Sequence, residues 1–511
     1  MPSTPVKIGP FSGGLNTYSE PTSVGDNEVT DIVNFDIDLD GSLYNRAPVT
    51  VKDLPAVVPG SGSVNLLGWF IDANGDRYLI MSCTTGTYAR NETTNVWTTI
   101  TTTFTAQVAI QYASKLYLVS PPADADPGGS WTPAGGFVAI AAIPKGTTAV
   151  VYKERMFIGG STTNPNRVYF SDAANFAVFQ TSVNFFDVRS GDGQNVLKLY
   201  AFSDTIAIFK NDSTYVYSYD SSPSRGTVRL INGSVGITNK DCLVEHEGSL
   251  YIHYEDNLYQ IANWNFTVTN IKAPFEYLIV YAGYNTQPSL SLMSDRIIVH
   301  HFDAIYVFNL RVGAWTKWTK PNALIYNYFI PVPRNTLDEP ERYYGGARRI
   351  TAAASNRALF EWRPELDSVR SEEMTCYVVT KVYDFNVAYT FKRLFWWGVD
   401  LLSKRDMTYT VHPVAFSTST THAQLAAYQH QQIVGNHLRP LDLSLNIGGT
   451  LPIDNMPGNR MFVKLIKSLR FRQVYFTVSG TTDGTLTTGP LRVYSVIAFI
   501  DNKQLISKQV S

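Results

Sequence analysis

The chain has 511 residues, a formal net charge of −1 and 17% charged residues, where about 25% is usual for a globular protein. This length exceeds one ordinary core and points to about two to four domains, unless a propeller absorbs most of it as one unit. The balanced charge argues against a surface that grips nucleic acid, and three scattered cysteines (Cys83, Cys242, Cys376) give neither a disulfide framework nor paired metal ligands. Aromatic residues make up 13% of the chain, with 30 Tyr and 27 Phe, which favours β-structure.

The opening residues, MPSTPVKIGPFSGG, lack the charged start and apolar stretch of a secretory signal. No apolar run approaches the roughly 18 residues of a membrane span. The expectation is a protein made in the cytosol with no membrane span. Asp26 suits a helix N-cap, and Val29, Ile32 and Val33 share one helical side, which predicts a short helix ending towards Asn34.

Residues 34–46 read NFDIDLDGSLYNR, and Asp36, Asp38, Asp40 and Gly41 have the opening spacing of a calcium loop. The twelfth position of such a loop, which must carry a bidentate carboxylate, is Ala47. Phe35, Ile37 and Leu39 alternate with the three aspartates, so the stretch reads as a strand with a solvated acidic face, turning at Asp40-Gly41 into a return strand at Leu43. LPAVVPGSGS (residues 54–63) breaks the pattern and closes an N-terminal segment, 1–63.

From 64 to 367 short apolar strands recur around polar turns: LLGWFIDANGDRYLIMSC, AIQYASKLYLVS, AVVYKERMFIGG, LYAFSDTIAIFK, LVEHEGSLYIHY and SLMSDRIIVHHFDAIYVFNL. Their spacing suits propeller blades of four antiparallel strands. No WD or kelch signature occurs, and a stack of β-sandwiches with the same strand spacing stays open on the sequence alone. SPPADADPGGSWTPAGG (120–136) and VPRNTLDEPERYYGGARR (332–349) are expected as exposed loops. Beyond 368, CYVVTKVYDF, FKRLFWWGVDLL, YTVHPVAF, RQVYFTVSG and LRVYSVIAFID read as strands of a separate sandwich-like domain, 368–511, with Asp483-Gly484 in its last hairpin. The fold class expected is all-β: a β-propeller with an N-terminal hairpin segment and a C-terminal β-sandwich-like domain.

Candidate chemistry is sparse. His300 and His301 are neighbours on a strand and point to opposite faces. His246 and His253 flank a turn and can face one another with Glu245 or Glu255 near, but no third ligand has metal-site spacing. His412, His422, His430 and His437 lie in polar surroundings without a zinc motif. Asp187, Asp192 and Asp204, around RSGDGQN, are the best carboxylate cluster for glycoside chemistry and are equally explained by a turn between blades. Glycosylation triplets at Asn91, Asn211, Asn232 and Asn265 lack a secretory signal to give them meaning. Neither a catalytic residue nor a cofactor or metal site is assigned.

The stretch FSGGLNTYSEPTSVGDNEVTDIVNFDIDLDGSLYNRAPV resembles the opening of tailed-bacteriophage tail nozzle (tail tube) proteins: a Gly-Gly-Leu/Ile start, a Pro, a short acidic helix leading to Asn, and a Gly-bearing turn closed by Arg before Pro. Here those positions are Gly13, Gly14, Leu15, Pro21, Asn34, Gly41, Leu43, Arg46 and Pro48, with Ala47 intervening where Pro often follows Arg directly. KERMFIGGSTTNPNRVYFSDAANFAVF, GDGQNVLKLYAFSDTIAIFKNDSTYVY and INGSVGITNKDCLVEHEGSLYIHYEDNLYQI extend the similarity over roughly residues 11–270. The resemblance implies a non-enzymatic virion subunit, commonly a homohexameric ring below the portal. Its implied partners are other copies of itself, adaptor or connector proteins, tail fibres or spikes, and DNA in passage. A conduit must not hold DNA, and this chain has no basic surplus to do so. An Arg fork at Arg46 suits a carboxylate or backbone carbonyls and would fix the terminus against the propeller. Two alternatives remain: a minor tail or tip protein of a long-tailed phage, and a glycan-binding or glycan-cleaving propeller at a host surface.

Overall fold

The alternating stretches in the middle of the chain close on two-residue turns. Ala113 and Ser114, Lys153 and Glu154, Ser203 and Asp204, and Asn263 and Trp264 all have positive φ, between 45° and 63°. Two such residues in succession form the hairpin turn whose twist matches that of its strands. None of these pairs is the usual Asn-Gly, so it is the flanking alternation, set by burial, that fixes the register.

The computed structural model of the protein describes residues 4–47, 49–54, 57–62, 64–255, 257–269, 288–301, 304–319, 324–334, 336, 339–349, 358–363, 374–383, 392–402, 407–414, 430–431, 459–471, 473–482 and 492–501. Its hairpins assemble into seven four-stranded antiparallel blades. Blade 1 comprises Asn65–Ile71, Arg77–Cys83, Gly86–Asn91 and Trp97–Thr101; blade 2, Val108–Tyr112, Lys115–Val119, Gly129–Thr132 and Gly136–Ala139. Blade 3 comprises Thr148–Tyr152, Arg155–Gly159, Arg167–Phe170 and Phe185–Asp187; blade 4, Lys198–Phe202, Thr205–Phe209, Thr214–Ser218 and Thr227–Asn232. Blade 5 comprises Leu243–His246, Ser249–Tyr254, Asn257–Ala262 and Asn265–Val268; blade 6, Ser289–Met293, Arg296–His300, Ile305–Asn309 and Ala314–Trp318. Blade 7 takes Leu324–Pro331, Tyr343–Arg349 and Leu359–Trp362, and borrows its fourth strand, Val49–Asp53, from before blade 1. The first strand of each blade is innermost. Because every blade has an even number of strands, all inner strands enter the central channel from the same end.

Apolar layers fill the gaps between blades. Phe70, Tyr78, Leu118 and Trp131 join blades 1 and 2; Phe157, Phe170, Ile206 and Tyr217 join blades 3 and 4; Val307, Trp318, Phe360 and Trp362 join blades 6 and 7. Burial of this aromatic surface, at about 25 cal/mol per Å², is the main force holding the ring together.

The borrowed strand closes that ring, and a buried ionic network pins it. Arg90 of blade 1, wholly buried, donates to Asp53 through Nε (2.7 Å) and Nη2 (3.3 Å), to Glu92 Oε2 (2.6 Å) and to Asn95 Oδ1 (2.6 Å). Trp97 Nε1 also donates to Asp53 (3.0 Å), and Tyr344 of blade 7 donates its hydroxyl to Glu92 (2.5 Å).

A second unit is built from both ends of the chain. Thr4–Ile8, Phe35–Ile37 and Leu43–Asn45 share a sheet with Lys392–Leu402, Asn459–Phe471 and Arg492–Asp501. Gly14–Leu15 and Glu28–Val33 share another with Met374–Thr380, Gln473–Thr482, Met407–Val414 and His430–Gln431. That second sheet runs on into blade 6, because Gly14 pairs in parallel with Trp315, and Val33 with Lys317. One core serves both: Phe11, Leu15, Ile32 and Phe35 from the first residues, Val378, Phe476 and Val496 from the last, and Phe308 and Trp315 from blade 6.

Several expectations are corrected. No helix forms at 29–33: Glu28–Val33 is a strand buried on both faces, a pattern that apolar spacing alone does not separate from a short helix. Its β-branched residues settle the matter, and Thr30 Oγ1 bonds the carbonyls of Val379 (3.2 Å) and Thr380 (3.1 Å). The N-terminal segment is divided, its first strands joining C-terminal ones and Val49–Asp53 completing the propeller. Part of each predicted loop is strand, Gly129–Thr132 because Trp131 packs edge-on to Phe70 and Tyr78, and Tyr343–Arg349 because it pairs on both sides in blade 7. Asn459–Phe471 is a further strand that the alternation did not reveal. Asp483-Gly484, His422 and His437 lie outside the described residues. Among the described residues no helix is long and apolar enough to cross a membrane.

If the network closes the ring, Asp53→Ala, which strips a buried guanidinium of its bidentate partner, lowers stability by roughly 3 kcal/mol. Arg167→Ala, which breaks a partly exposed pair with Asp187, costs less than about 1 kcal/mol. Urea denaturation of both variants checks this; equal losses would contradict it.

Candidate functional site

Two residues singled out in the N-terminal stretch, Asn34 and Arg46, meet in one buried node. Asn34 lies at the corner where the chain leaves one sheet of the second unit, at Val33, and enters the other, at Phe35. Its φ is +58°, a left-handed conformation that Asn tolerates better than most residues. Every hydrogen-bonding position of its side chain is used. Nδ2 donates to Thr319 Oγ1 and to the Thr375 carbonyl, both at 2.8 Å, while Oδ1 accepts from Thr319 N (2.9 Å) and Arg46 Nε (3.0 Å). Its backbone N–H donates to the Lys317 carbonyl (2.8 Å), and its carbonyl accepts from Arg46 N (3.0 Å).

Arg46 is 1% exposed. Besides Asn34, it donates through Nη1 to the Ala47 carbonyl (3.1 Å), and its guanidinium lies 5.4 Å from the centre of the Trp318 ring. Trp362 Nε1 donates to the same carbonyl (3.2 Å), which brings blade 7 into the node. Arg46 thus spends one donor on a backbone carbonyl and another on a side-chain amide, with its plane near an aromatic face.

The other motif positions shape the chain around this node. Gly14 has φ +65°, and a Cβ there would lie 2.6 Å from the Trp315 carbonyl oxygen. Gly41 has φ +76°, and its N–H donates to the Asp38 carbonyl (2.9 Å), closing the hairpin turn expected at Asp40-Gly41. Gly13 donates its N–H to the Asn27 carbonyl (2.8 Å), Leu15 is buried in the shared core, and the Pro21 carbonyl accepts from Val382 N (3.0 Å). Pro48 lies outside the described residues.

The three aspartates do not form a solvated acidic face. Asp36 is 3% exposed, paired with Arg296 Nε (3.2 Å) and accepting from Trp318 Nε1 (3.2 Å). Asp38 pairs with Arg492 (3.1 Å), and Asp40 accepts from Ser42 N (2.8 Å). Both faces of the strand Phe35–Ile37 are covered, so alternation does not bring Asp36 to solvent, whereas Asp40, in the turn, is exposed.

The residues considered for chemistry are held apart. Asp187 takes Arg167, Asp192 takes buried Lys210 (2.8 Å), and Asp204 faces Lys153 (3.8 Å). His246 pairs across its hairpin with Ser249, so it does not face His253. His300 shares a hydrogen bond with Ser291 (3.0 Å), while His301 turns the other way towards Tyr306. His253 is buried; desolvation, reinforced by the charge of His301, pushes it down to about 3. His412 and His430 lie on strands. Among the described residues no group of three His, Cys, Asp or Glu could hold a metal ion.

The central channel encloses about 870 Å³, lined from every blade, Leu67, Ala149, Leu290 and Phe329 among them. It is not an open bore. Lys240, just before the inner strand of blade 5, reaches Gln107, just before that of blade 2, donating to its Oε1 (2.9 Å) and its carbonyl (3.1 Å). Sequence reading missed this residue, since a lysine in a loop shows no sign of a partner 133 positions away.

No family model matches the chain, and no curated protein does. Solved structures similar to it include virginiamycin B lyase from Staphylococcus aureus, at 10% identity over 61% of this chain and 98% of that one, TM-score 0.41. The WD40 domain of Neurospora crassa Pan2 is similar at 8% identity over 65% and 98%, TM-score 0.39. An extracellular domain assigned to a hybrid two-component system of B. thetaiotaomicron is similar at 11% identity over 68% of this chain, TM-score 0.40, and the match spans 42% of that longer chain. The propeller assignment rests on the seven four-stranded blades themselves.

Two outcomes test this geometry. Asn34→Ala, which loses the side-chain bonds and must hold a positive φ, is less stable than Asn34→Gly by about 1–2 kcal/mol, although both fall below the wild type. Because His253 is held neutral, its contribution to stability is complete above its unfolded value near 6.5 and is lost as pH falls from there towards 3. Thermal melts against pH should therefore show a decline over this window that His253→Phe flattens.

Proposed function

We propose that this chain is a non-enzymatic structural subunit of a bacteriophage tail, of the nozzle or tail-tube kind, standing in a ring of copies around the path of DNA ejection. The observation that carries this reading is the fate of the motif. Asn34 and Arg46, at the heart of the resemblance, are buried and bonded to blade 6, to the carbonyl shared with blade 7 and to the strand Met374–Thr380. Such groups can hold parts of a protein at fixed positions but cannot reach a substrate. A rigid union of propeller and sandwich suits a subunit that bears load in an assembly.

The channel within each propeller is not the conduit in this reading. A bore bridged by one lysine side chain is too narrow for duplex DNA, whose major groove alone is about 12 Å wide. DNA would pass between copies, along a surface whose near-neutral charge limits phosphate binding. Adaptor proteins above the ring and fibres or spikes around it are the partners this position implies.

Quantitative mass spectrometry of purified virions, together with negative-stain imaging of antibody-labelled particles, tests the proposal. The expected result is a multi-copy component of the tail, in a ring. Its absence from virions, or its presence only at a fibre tip, would overturn the reading.

A further inference from the structure

Where blades 3 and 4 meet, at the end from which the inner strands start, an amine, an amide and a carboxylate are held in contact. Lys210, directly after the strand Thr205–Phe209 of blade 4, is wholly buried. Its Nζ donates to Asn166 Oδ1 (2.7 Å), to the Val188 carbonyl (2.7 Å) and to Asp192 Oδ2 (2.8 Å), with the Arg189 carbonyl further off at 3.4 Å. Asn166 stands just before Arg167–Phe170 of blade 3, and Asp192 follows that blade's last strand, Phe185–Asp187. The Asn166 backbone is fixed, since its carbonyl accepts from Val188 N (2.8 Å). Its side-chain nitrogen, by contrast, makes no hydrogen bond among the described residues. Because a C=O bond is about 1.2 Å long, Asn166 Cγ lies within about 4 Å of the lysine nitrogen.

We propose that Lys210 and Asn166 join in an isopeptide bond that staples blade 3 to blade 4, with Asp192 carrying the proton. Asp192 takes one proton from the Lys210 ammonium, and the freed lone pair of Nζ attacks Asn166 Cγ, pushing the carbonyl π electrons onto Oδ1. Asp192 then hands its proton to Nδ2 and takes a second from the attacking nitrogen. The Cγ–Nδ2 bond breaks as the carbonyl re-forms, and ammonia leaves, carrying the second proton away as ammonium. Nothing is oxidised or reduced, and the Asp192 carboxylate is regenerated. One amide replaces another, so the reaction is driven by the fixed proximity of the groups and by the escape of ammonia to solvent. Burial raises the Asp192 carboxyl, but the hydrogen bonds from Lys210 and Gln194 and the charge of Lys210 outweigh it and hold the group below its usual range. The first proton transfer is therefore uphill, and the bond forms slowly once the two blades have closed. The proposal does not depend on the tail assignment, because it concerns chemistry within one chain.

Intact mass spectrometry of the purified full chain, followed over days at neutral pH, tests it. The chain is expected to fall below its sequence mass by one ammonia, in a fraction that rises with time. Tryptic digestion should then yield a branched peptide joining the segments around Asn166 and Lys210, with cleavage after Lys210 lost. Asp192→Asn, which keeps the shape but cannot carry the proton, should slow the bond by at least about a hundredfold. Should that variant fail to fold, the branched peptide of the wild type decides alone. A wild-type chain that stays at its full sequence mass, an ammonia loss that maps to any other pair of residues, or an unchanged rate in a folded Asp192→Asn would overturn the proposal.

Discussion

The side chain of Asn34 is the point at which the architecture is tied together. One amide spends two donors and two acceptor positions on groups from three parts of the chain: Thr319 beside blade 6, Thr375 in the C-terminal sheet, and Arg46 at the end of the N-terminal hairpin. Each such bond contributes on the order of 1 kcal/mol when made, but leaving its partner buried and unpaired costs about 1–3 kcal/mol. The asymmetry means that the three parts are correct together or not at all. Trp318 extends the same logic, offering its face to Arg46 and its N–H to Asp36, which in turn neutralises Arg296.

From this node two closures follow. The sheet that holds Asn34 continues through Gly14 into blade 6, so the propeller and the sandwich share hydrogen bonds and an apolar core. A few residues further on, the chain passes Arg46 and supplies Val49–Asp53 to blade 7, where Asp53 meets Arg90. The first fifty or so residues are thus the fastener of the whole fold, ordered by strands that are made hundreds of residues later. Such long sequence separations carry a large closure entropy, which buried ion pairs and full hydrogen-bonding offset in specificity more than in raw stability.

What the sequence showed and what it hid divide along the same line. Hairpins within a blade are local, so alternation revealed AIQYASKLYLVS and LYAFSDTIAIFK as strand pairs even without Asn-Gly turns. Pairings across hundreds of residues left no local trace: VTVKD reads as any short strand, and nothing in it points to Leu359–Trp362. Glu28–Val33 was misread because an element buried on both faces loses the period that separates strand from helix. Asp36 and Arg90 sit in alternating strands, where a charge normally marks the solvent face; only their distant partners, Arg296 and Asp53, make them interior. Asn34 and Arg46 stood out through resemblance, whereas their bonding to one another was beyond any spacing rule. Lys240 gave no signal, since the end of an inner strand is recognisable only when the ring is closed.

The account makes Asn34 and Arg46 a single joint between propeller and sandwich rather than a local brace of one hairpin. Hydrogen exchange of the full chain, followed by mass spectrometry in the wild type and in Arg46→Met, tests that claim most directly. The account predicts that protection falls together in Phe35–Ile37, in Ala314–Trp318 of blade 6 and in Met374–Thr380, while blades 2 to 4 keep theirs. A loss confined to the hairpin around Gly41, with blade 6 and Met374–Thr380 unchanged, would contradict it.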